Sequence, residues 1–383
     1  MAWYLVILGV AALSTYLLVP LVRRYAIRLG AVVGPSERRV HSDPTPTLGG
    51  LAMLLGVGIA LTVASQLDEF EPVFETPTAI IGTGVAAAVI YGVGFIDDMR
   101  EMSAPAKTAG MVLAGSILTL AGVTIIYFRV PFAGFVVLSP DLSALISVLW
   151  VVGMANAVNL IDGLDGLAAG IVGIAAGAFF LYGTKLDEAG VLDPSNVGPL
   201  IAITTAGVCV GFLPHNLHPA RIFMGDGGAL MLGLLLAAST MAVGGQSDDP
   251  FSGQAWFFFA PLVIPIVILG VPILDTLMAI VRRATRRSGV ATADKEHLHH
   301  RLMRLGHGQR RSVLILWTWT ALLSGLALYP VYTGKGDAIV PLGLAALALL
   351  LYTVFHPQVR RSRNAAGQED GEAADRVAEG PSG

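Results

Sequence analysis

The sequence predicts an all-α polytopic membrane protein, and three observations carry that prediction. Hydrophobic residues make up 54% of the 383 residues and charged residues only 13%, giving a mean hydropathy of +0.70. Soluble domains carry roughly 25% charged residues. The apolar residues fall in blocks of about 17–25, the length that crosses a hydrocarbon core as a helix. All but three of the 24 lysines and arginines lie in alternate segments between those blocks, the asymmetry that marks cytoplasmic loops. A lipid interior offers no partners to open backbone groups, so the blocks cross as helices.

Eleven spans are read in order, at roughly 3–22, 47–66, 78–95, 108–126, 142–157, 167–184, 197–213, 227–244, 256–281, 313–330 and 338–355. No basic residue precedes the first block, whereas Arg23 and Arg24 follow it. That order fits a retained first span with its N-terminus outside rather than a cleaved leader. The N-out orientation leaves only Arg129, Lys185 and Lys335 outside and puts the C-terminus in the cytoplasm. Outer loops are short and acidic, as at Asp68, Glu69 and Glu71. The stretch 127–140, rich in Tyr, Phe, Val, Pro and Gly, reads as a small external hairpin. Residues 1–355 form the membrane domain, and 356–383, rich in Ala, Gly, Glu and Asp, read as a disordered cytoplasmic tail. Cys209 is the single cysteine and lies inside an apolar block, which excludes a disulfide framework and a cysteine metal site.

Five aspartates, Asp97, Asp98, Asp162, Asp165 and Asp226, occupy short polar breaks that the span count puts on the cytoplasmic side. Clustered carboxylates at a hydrocarbon boundary repel one another unless a cation compensates them. Gly94–Asp98 ends the third span, and Lys107 opens the next, placed either to compensate Asp97 or to bind an anionic headgroup. Asn156–Gly166 forms the following inner break. If it is helical, Asn159, Asp162 and Asp165 are spaced by three along one face, and a glycine after each aspartate lets backbone approach a ligand. Phe223–Gly228 opens the eighth span, where Asp226 reads as a helix cap or as a direct Mg²⁺ ligand. Its glycines would also let helix N-terminal N–H groups meet phosphate oxygens.

Two further segments reach the same side. Residues 294–304 place His297, His300, Arg301 and Arg304 on one helical face and Leu298, Leu302 and Leu305 on another. That pattern fits either a basic amphipathic helix on the membrane or an anion-binding face, with His299 beside it. His41–Gly50 enters the second span. There Thr45 and Gly49 stand equally as substrate contacts and as residues that shape the loop. Asp275, about two turns inside the ninth span from Arg282, must be paired or wetted at that depth.

The five motifs in this order, His41–Gly50, Gly94–Asp98, Asn156–Gly170, Phe223–Gly228 and His297–Arg301, resemble those of the polyprenyl-phosphate N-acetylhexosamine-1-phosphate transferases, glycosyltransferase family 4. The resemblance covers residues 1–355. The segment 297–301 and the eleven-span count resemble the branch that uses UDP-N-acetylglucosamine with undecaprenyl or decaprenyl phosphate. The peptidoglycan-precursor branch typically carries a triple histidine followed by an apolar and an acidic residue. Thr47 stands where the family usually has a basic residue.

The resemblance implies transfer of GlcNAc-1-phosphate from UDP-GlcNAc to a polyprenyl phosphate, releasing UMP, with Mg²⁺ as cofactor and Mn²⁺ as its substitute. By motif position it implies that Asp97 and Asp98 serve the lipid phosphate and the metal, and that Asn159, Asp162 and Asp165 border nucleotide and metal. Asp226 would bind Mg²⁺, and His297, His299, His300 and Arg301 would contact the sugar phosphate. The lipid phosphate is already an anionic nucleophile, so the protein has mainly to overcome repulsion between anions and align them. A single in-line step with Asp97 steering the lipid phosphate proton is favoured, and an aspartyl-phosphate route stays open. The expected setting is the plasma membrane of a bacterium, with no nucleic-acid partner and with a homodimer allowed. The alternatives are the phospho-MurNAc-pentapeptide transferase reaction and, from a different class, an ion-coupled transporter. The absence of an internal repeat and of ionisable residues at mid-bilayer weighs against the transporter.

Overall fold

The computed structural model describes residues 1–33, 44–130, 134–244, 302–303, 307–333 and 339–355. The helices are α1 (Ala2–Arg28), α2 (Gly49–Ala64), α3 (Glu71–Glu75), α4 (Thr78–Arg100), α5 (Ala104–Leu120), α6 (Pro140–Ile161), α7 (Leu167–Glu188), α8 (Gly198–Asn216), α9 (Gly225–Gly244), α10 (Gln309–Thr333) and α11 (Ile339–Phe355). Seven of them, α1, α4 and α6 to α10, are long and apolar enough to cross a membrane. An eighth span results if α2 and the segment Asp68–Glu75, bent from it by 98°, are taken together. Helix α5 and the stretch Pro341–Thr353 are shorter apolar helices. The read span at 256–281, with Asp275, and the tail 356–383 lie outside the described residues.

Two small antiparallel sheets depart from a purely helical chain. Tyr127–Val130 pairs with Gly134–Val137, where a hairpin was expected (β3 and β4). The other joins Val32–Val33 (β1) to Thr45–Pro46 (β2), with Val33 opposite Thr45. That pairing was not read from the sequence. Its causes are local, since β-branched Val32 and Val33 favour extended backbone and the prolines around Thr45 hold it there.

Helix starts follow capping chemistry. Ser103 accepts a hydrogen bond from the backbone N–H of Ala106 at the head of α5, and Ser139 from that of Leu142 at the head of α6 (3.4 Å each). Each is followed by proline in the first turn, where a missing N–H costs nothing.

Helix α9 sits at the centre. Its most apolar stretch is 94% buried, against 28% for α1 at the periphery, and α2, α4, α6, α7 and α8 all pack on it. Small residues permit this crowding. A Cβ on Gly50 would collide with the backbone of Gly228, and a Cβ on Gly94 with the backbone of Gly227. Backbone-to-backbone contact of this kind is how helices associate where lipid supplies no hydrophobic drive. It brings the ends of α2 and α4 onto the first turn of α9.

A valine at Gly50 must force that contact apart, so Gly50→Val is expected to destabilise the protein by about 1–3 kcal/mol or more. Gly58→Ala on the same helix, where an added Cβ meets nothing within 4 Å, should keep stability or raise it by up to about 1 kcal/mol. Thermal unfolding in detergent measures both. Equal midpoints for the two variants would show that the crossing does not depend on glycine.

Candidate active site

The site is built where α4, α5 and α9 meet. Helix α4 ends at Arg100 and α5 begins at Ala104, so Asp97 and Lys107 face each other across a tight corner. The backbone N–H of Met102 donates to Asp97 Oδ1 (2.6 Å), and Lys107 Nζ donates to Asp97 Oδ2 (2.8 Å). The same ammonium also pairs with Asp226 Oδ2 from the first turn of α9. The side chains of Lys107 and Asp97 are each only 16% exposed, so this bridge is shielded from water.

Asp98, the next residue, turns to α9. Its Oδ1 accepts from the backbone N–H of Asp226 (3.1 Å) and its Oδ2 from that of Gly227 (3.4 Å). A carboxylate from one helix thus caps another, satisfying two donors that no intrahelical carbonyl can reach and meeting the positive end of the helix dipole. These are N–H groups that the sequence alone offered to phosphate oxygens. Gly225 precedes them with φ +73°, and a Cβ there would meet Asp98 and Thr47. Only glycine makes this turn comfortably.

The proline-rich entry segment positions this loop. Phe223 donates its backbone N–H to the carbonyl of Pro46 (2.9 Å), and its own carbonyl accepts from the N–H of Gly49 (2.8 Å). Gly50 N–H donates to the carbonyl of Met224 (2.9 Å). Thr45 is buried within β2, and a Cβ on Gly49 would lie 2.5 Å from the Phe212 ring. Thr45 and Gly49 thus both belong to the segment that fastens the Phe223 loop.

The doubled Asp-Gly break adopts a turn. Helix α6 stops at Ile161 and Asp162 leaves helical geometry (φ −77°, ψ 47°), so Asp162 and Asp165 do not continue one helical face with Asn159. Asn159 stays in the last turn of α6, where its carbonyl accepts from Asp162 N–H (3.3 Å). Asp165 is buried and accepts at Oδ2 from the backbone N–H of Ala220 (3.1 Å), with His218 Nδ1 at 2.8 Å from the same oxygen. Asn216, also buried, accepts from Gly166 N–H (3.0 Å) and donates to the carbonyl of Ile222 (3.0 Å). Asn216 and Asp165 therefore tie this break to the segment between α8 and α9.

A cavity of about 170 Å³ opens among these pieces. Asp98, Asp162, Asp165 and Asp226 line it, with Thr47, Asn216 and Phe223. Asp97 and Lys107 stand behind Asp226, and Asn159 is not on the wall. His297, His299, His300 and Arg301 lie outside the described residues. The sequence pointed to neither His218 nor Asn216, and it marked Thr47 only as standing where the family usually has a basic residue. The available signal was a histidine and an asparagine crowded into one short inner break beside the Phe223–Gly228 motif.

The donor set fits a metal that takes few protein ligands. Among the described residues no group of three or more His, Cys, Asp or Glu side chains could hold an ion on its own. Magnesium needs no such cage, because it binds through one or two carboxylates, water and substrate phosphates. Asp226 and Asp98 both line the cavity, and the Lys107 ammonium is shared by Asp226 and Asp97 while Asp98 meets the N-terminus of α9.

Residues 80–244 match the sequence profile of glycosyl transferase family 4. The chain is 39% identical over 364 residues to the decaprenyl-phosphate N-acetylglucosaminephosphotransferase of Mycolicibacterium smegmatis, covering 93% of this chain and 89% of that one. It is 41% identical over 355 residues to the protein of the same name from Mycobacterium tuberculosis, covering 89% of this chain and 87% of the relative. A phospho-N-acetylmuramoyl-pentapeptide-transferase of Desulforudis audaxviator is 34% identical over 351 residues, 85% of this chain and 97% of its own length.

The chain belongs to glycosyl transferase family 4.

As a member of glycosyl transferase family 4 it is a phosphoglycosyltransferase, and the carboxylate-lined cavity lies within or beside the matched region. Among the described residues Lys107 pairs with Asp226 on the cavity wall and with Asp97 behind it. Lys107→Met is therefore expected to lower unfolding free energy by about 1–3 kcal/mol, less than a fully buried pair because Asp226 is partly exposed. Lys107→Arg should recover most of it. Denaturation in detergent reads this, and a Lys107→Met protein as stable as wild type would show that the ammonium is not what compensates Asp97 and Asp226.

Proposed function

We propose that the protein transfers GlcNAc-1-phosphate from UDP-GlcNAc to a polyprenyl phosphate, giving polyprenyl-diphospho-GlcNAc and UMP. The observation that carries this reading is the cavity lined by aspartates from three separated stretches, in a chain matching transferases of that name at 39–41% identity. In the reaction an oxygen of the lipid phosphate forms a bond to the β-phosphorus of UDP-GlcNAc. The bond from that phosphorus to the bridging oxygen breaks, and UMP leaves with the electron pair.

Each group then has a role that its environment supports. Lys107 holds Asp97 and Asp226 in place and offsets part of the negative charge of the incoming phosphates. Asp97, adjoining Lys107, steers the lipid phosphate and its proton, and Asp162 and Asp165 border the nucleotide. Asp98 keeps the first turn of α9 open toward the cavity by occupying its N–H groups. A divalent cation, Mg²⁺ or Mn²⁺, would be held by Asp226 with Asp98 and would supply charge neutralisation at the diphosphate. His297, His299, His300 and Arg301 are assigned to the sugar phosphate by motif position.

The proposed setting follows the charge asymmetry. Eleven spans, N-terminus outside and C-terminus inside, put the aspartate breaks at the cytoplasmic face of a bacterial plasma membrane, where UDP-GlcNAc is available. The described helices supply seven long apolar spans, a bent pair and two shorter apolar helices toward that number. The match to a phospho-N-acetylmuramoyl-pentapeptide-transferase keeps the muramyl nucleotide as the rival donor.

Purified protein with Mg²⁺ and decaprenyl or undecaprenyl phosphate should release UMP from UDP-GlcNAc, stop under chelation and recover on addition of Mg²⁺. Asp226→Asn should lower turnover by about 100-fold or more while leaving a folded protein. Release of UMP from the UDP-MurNAc-pentapeptide but not from UDP-GlcNAc would reassign the donor, and near-normal turnover of Asp226→Asn would remove that residue from the metal.

A further inference from the structure

Two stretches of backbone wall much of the carboxylate-lined cavity. One is the turn 162–165, all of whose residues line it, and the other is the link between α8 and α9, which contributes Asn216 and Phe223 from its two ends. The space left for a ligand between them depends on how firmly the two stretches are held together. A side chain that ties them from outside the cavity would set that spacing without meeting the ligand.

His218 has this placement. Its Nδ1 lies 2.8 Å from Asp165 Oδ2, the oxygen that also accepts from the backbone N–H of Ala220 (3.1 Å). The Asp165 side chain is 0% exposed, that of His218 is 35% exposed, and His218 is not among the residues lining the cavity. A buried carboxylate needs donors to offset its desolvation, and a ring nitrogen facing it supplies one by carrying the proton. Both of these donors come from one short loop, so the carboxylate gathers that loop onto the turn. Asn216 makes a second tie, to Gly166, but it also lines the cavity, so a change there alters the tie and the wall together.

The loop is gripped from its outer side as well. Arg310 Nη2, in the first turn of α10, donates to the backbone carbonyl of His218 (3.0 Å). Arg23 Nε, in the last two turns of α1, donates to that of Arg221 (3.0 Å). With its backbone held at both points, the loop presents the His218 ring to Asp165 in one orientation.

We infer that His218 is a positioning residue for sugar-nucleotide binding. Acting through Asp165, it fixes the spacing between the turn 162–165 and the segment 216–223, and it touches neither the nucleotide nor the reacting atoms. The inference rests on the proposed transfer reaction. UMP release by the wild type tests that reaction by itself, and the variants are compared with whichever sugar nucleotide the wild type accepts. Release from neither nucleotide overturns the reaction and the inference with it, whereas the outcomes below concern His218 alone.

KM and kcat are measured separately, varying the sugar nucleotide at saturating polyprenyl phosphate. His218→Leu removes the donor and should raise KM about tenfold, the scale of one hydrogen bond to a charged group. Its kcat should change by less than about threefold, because a misplaced wall weakens ground-state binding, while a smaller folded fraction would lower kcat and leave KM as it was. His218→Asn, whose Nδ2 can stand in for the ring Nδ1, should stay within about threefold of wild type in both constants. If His218→Leu does not fold, Arg310→Leu carries the comparison, with a KM raised about threefold and restored in Arg310→Lys. An unchanged KM in the variant used, a fall in kcat alone, or equal damage from His218→Asn and His218→Leu overturns the inference.

Discussion

Carboxylates gathered at a membrane boundary must be compensated, and one ammonium does most of that work here. Lys107 pairs with both Asp97 and Asp226, while Asp98 spends its charge on the N-terminus of α9. Three formal negative charges thus share one full positive charge and a helix end. The residual negative potential suits a divalent cation that arrives with a diphosphate, and it would repel the diphosphate alone. The same arithmetic explains why the cluster sits at helix ends. Backbone donors there are unsatisfied by the helix itself, and the nearby cavity lets water or substrate complete the shell.

That electrostatic arrangement depends on close backbone packing. Gly50 against Gly228 and Gly94 against Gly227 bring α2 and α4 to the first turn of α9. Asp98 could not reach the N–H groups of Asp226 and Gly227 across an ordinary side-chain-separated crossing. Hydrogen bonds then fasten the loop from the other side, with Pro46 and Gly49 holding the backbone of Phe223. Packing and charge are parts of one design, because the contact that narrows the crossing also delivers the cap.

Much of this was legible in the sequence. The apolar blocks were visible from length alone, and the described helices other than the short α3 overlap them, seven of them long and apolar enough to cross a membrane. The aspartates could be placed in polar breaks between spans, and Lys107 could be paired with Asp97 because ten residues around a corner leave few other partners. The second partner, Asp226, lies 119 residues away and was beyond any local pattern. Asp98 as a cap for α9 was equally hidden, since a carboxylate next to another carboxylate reads as a second ligand. Spacing by three suggested one helical face for Asn159, Asp162 and Asp165. The helix instead ends at Ile161, and Asp165 turns inward to His218 and Ala220. Asn216 was missed for a related reason, because its two bonds, to Gly166 and Ile222, exist only once α7, α8 and the loop before α9 have met.

The central claim is that carboxylates at the shared ends of α4 and α9 take a divalent ion together with the donor diphosphate. Phosphorus electron–nuclear double resonance on purified enzyme loaded with Mn²⁺ and UDP-GlcNAc addresses it most directly. The arrangement predicts phosphorus coupling to bound Mn²⁺ in the wild type and its loss in Asp226→Asn. The same coupling in both proteins, or tightly bound UDP-GlcNAc with no coupling in either, would contradict it.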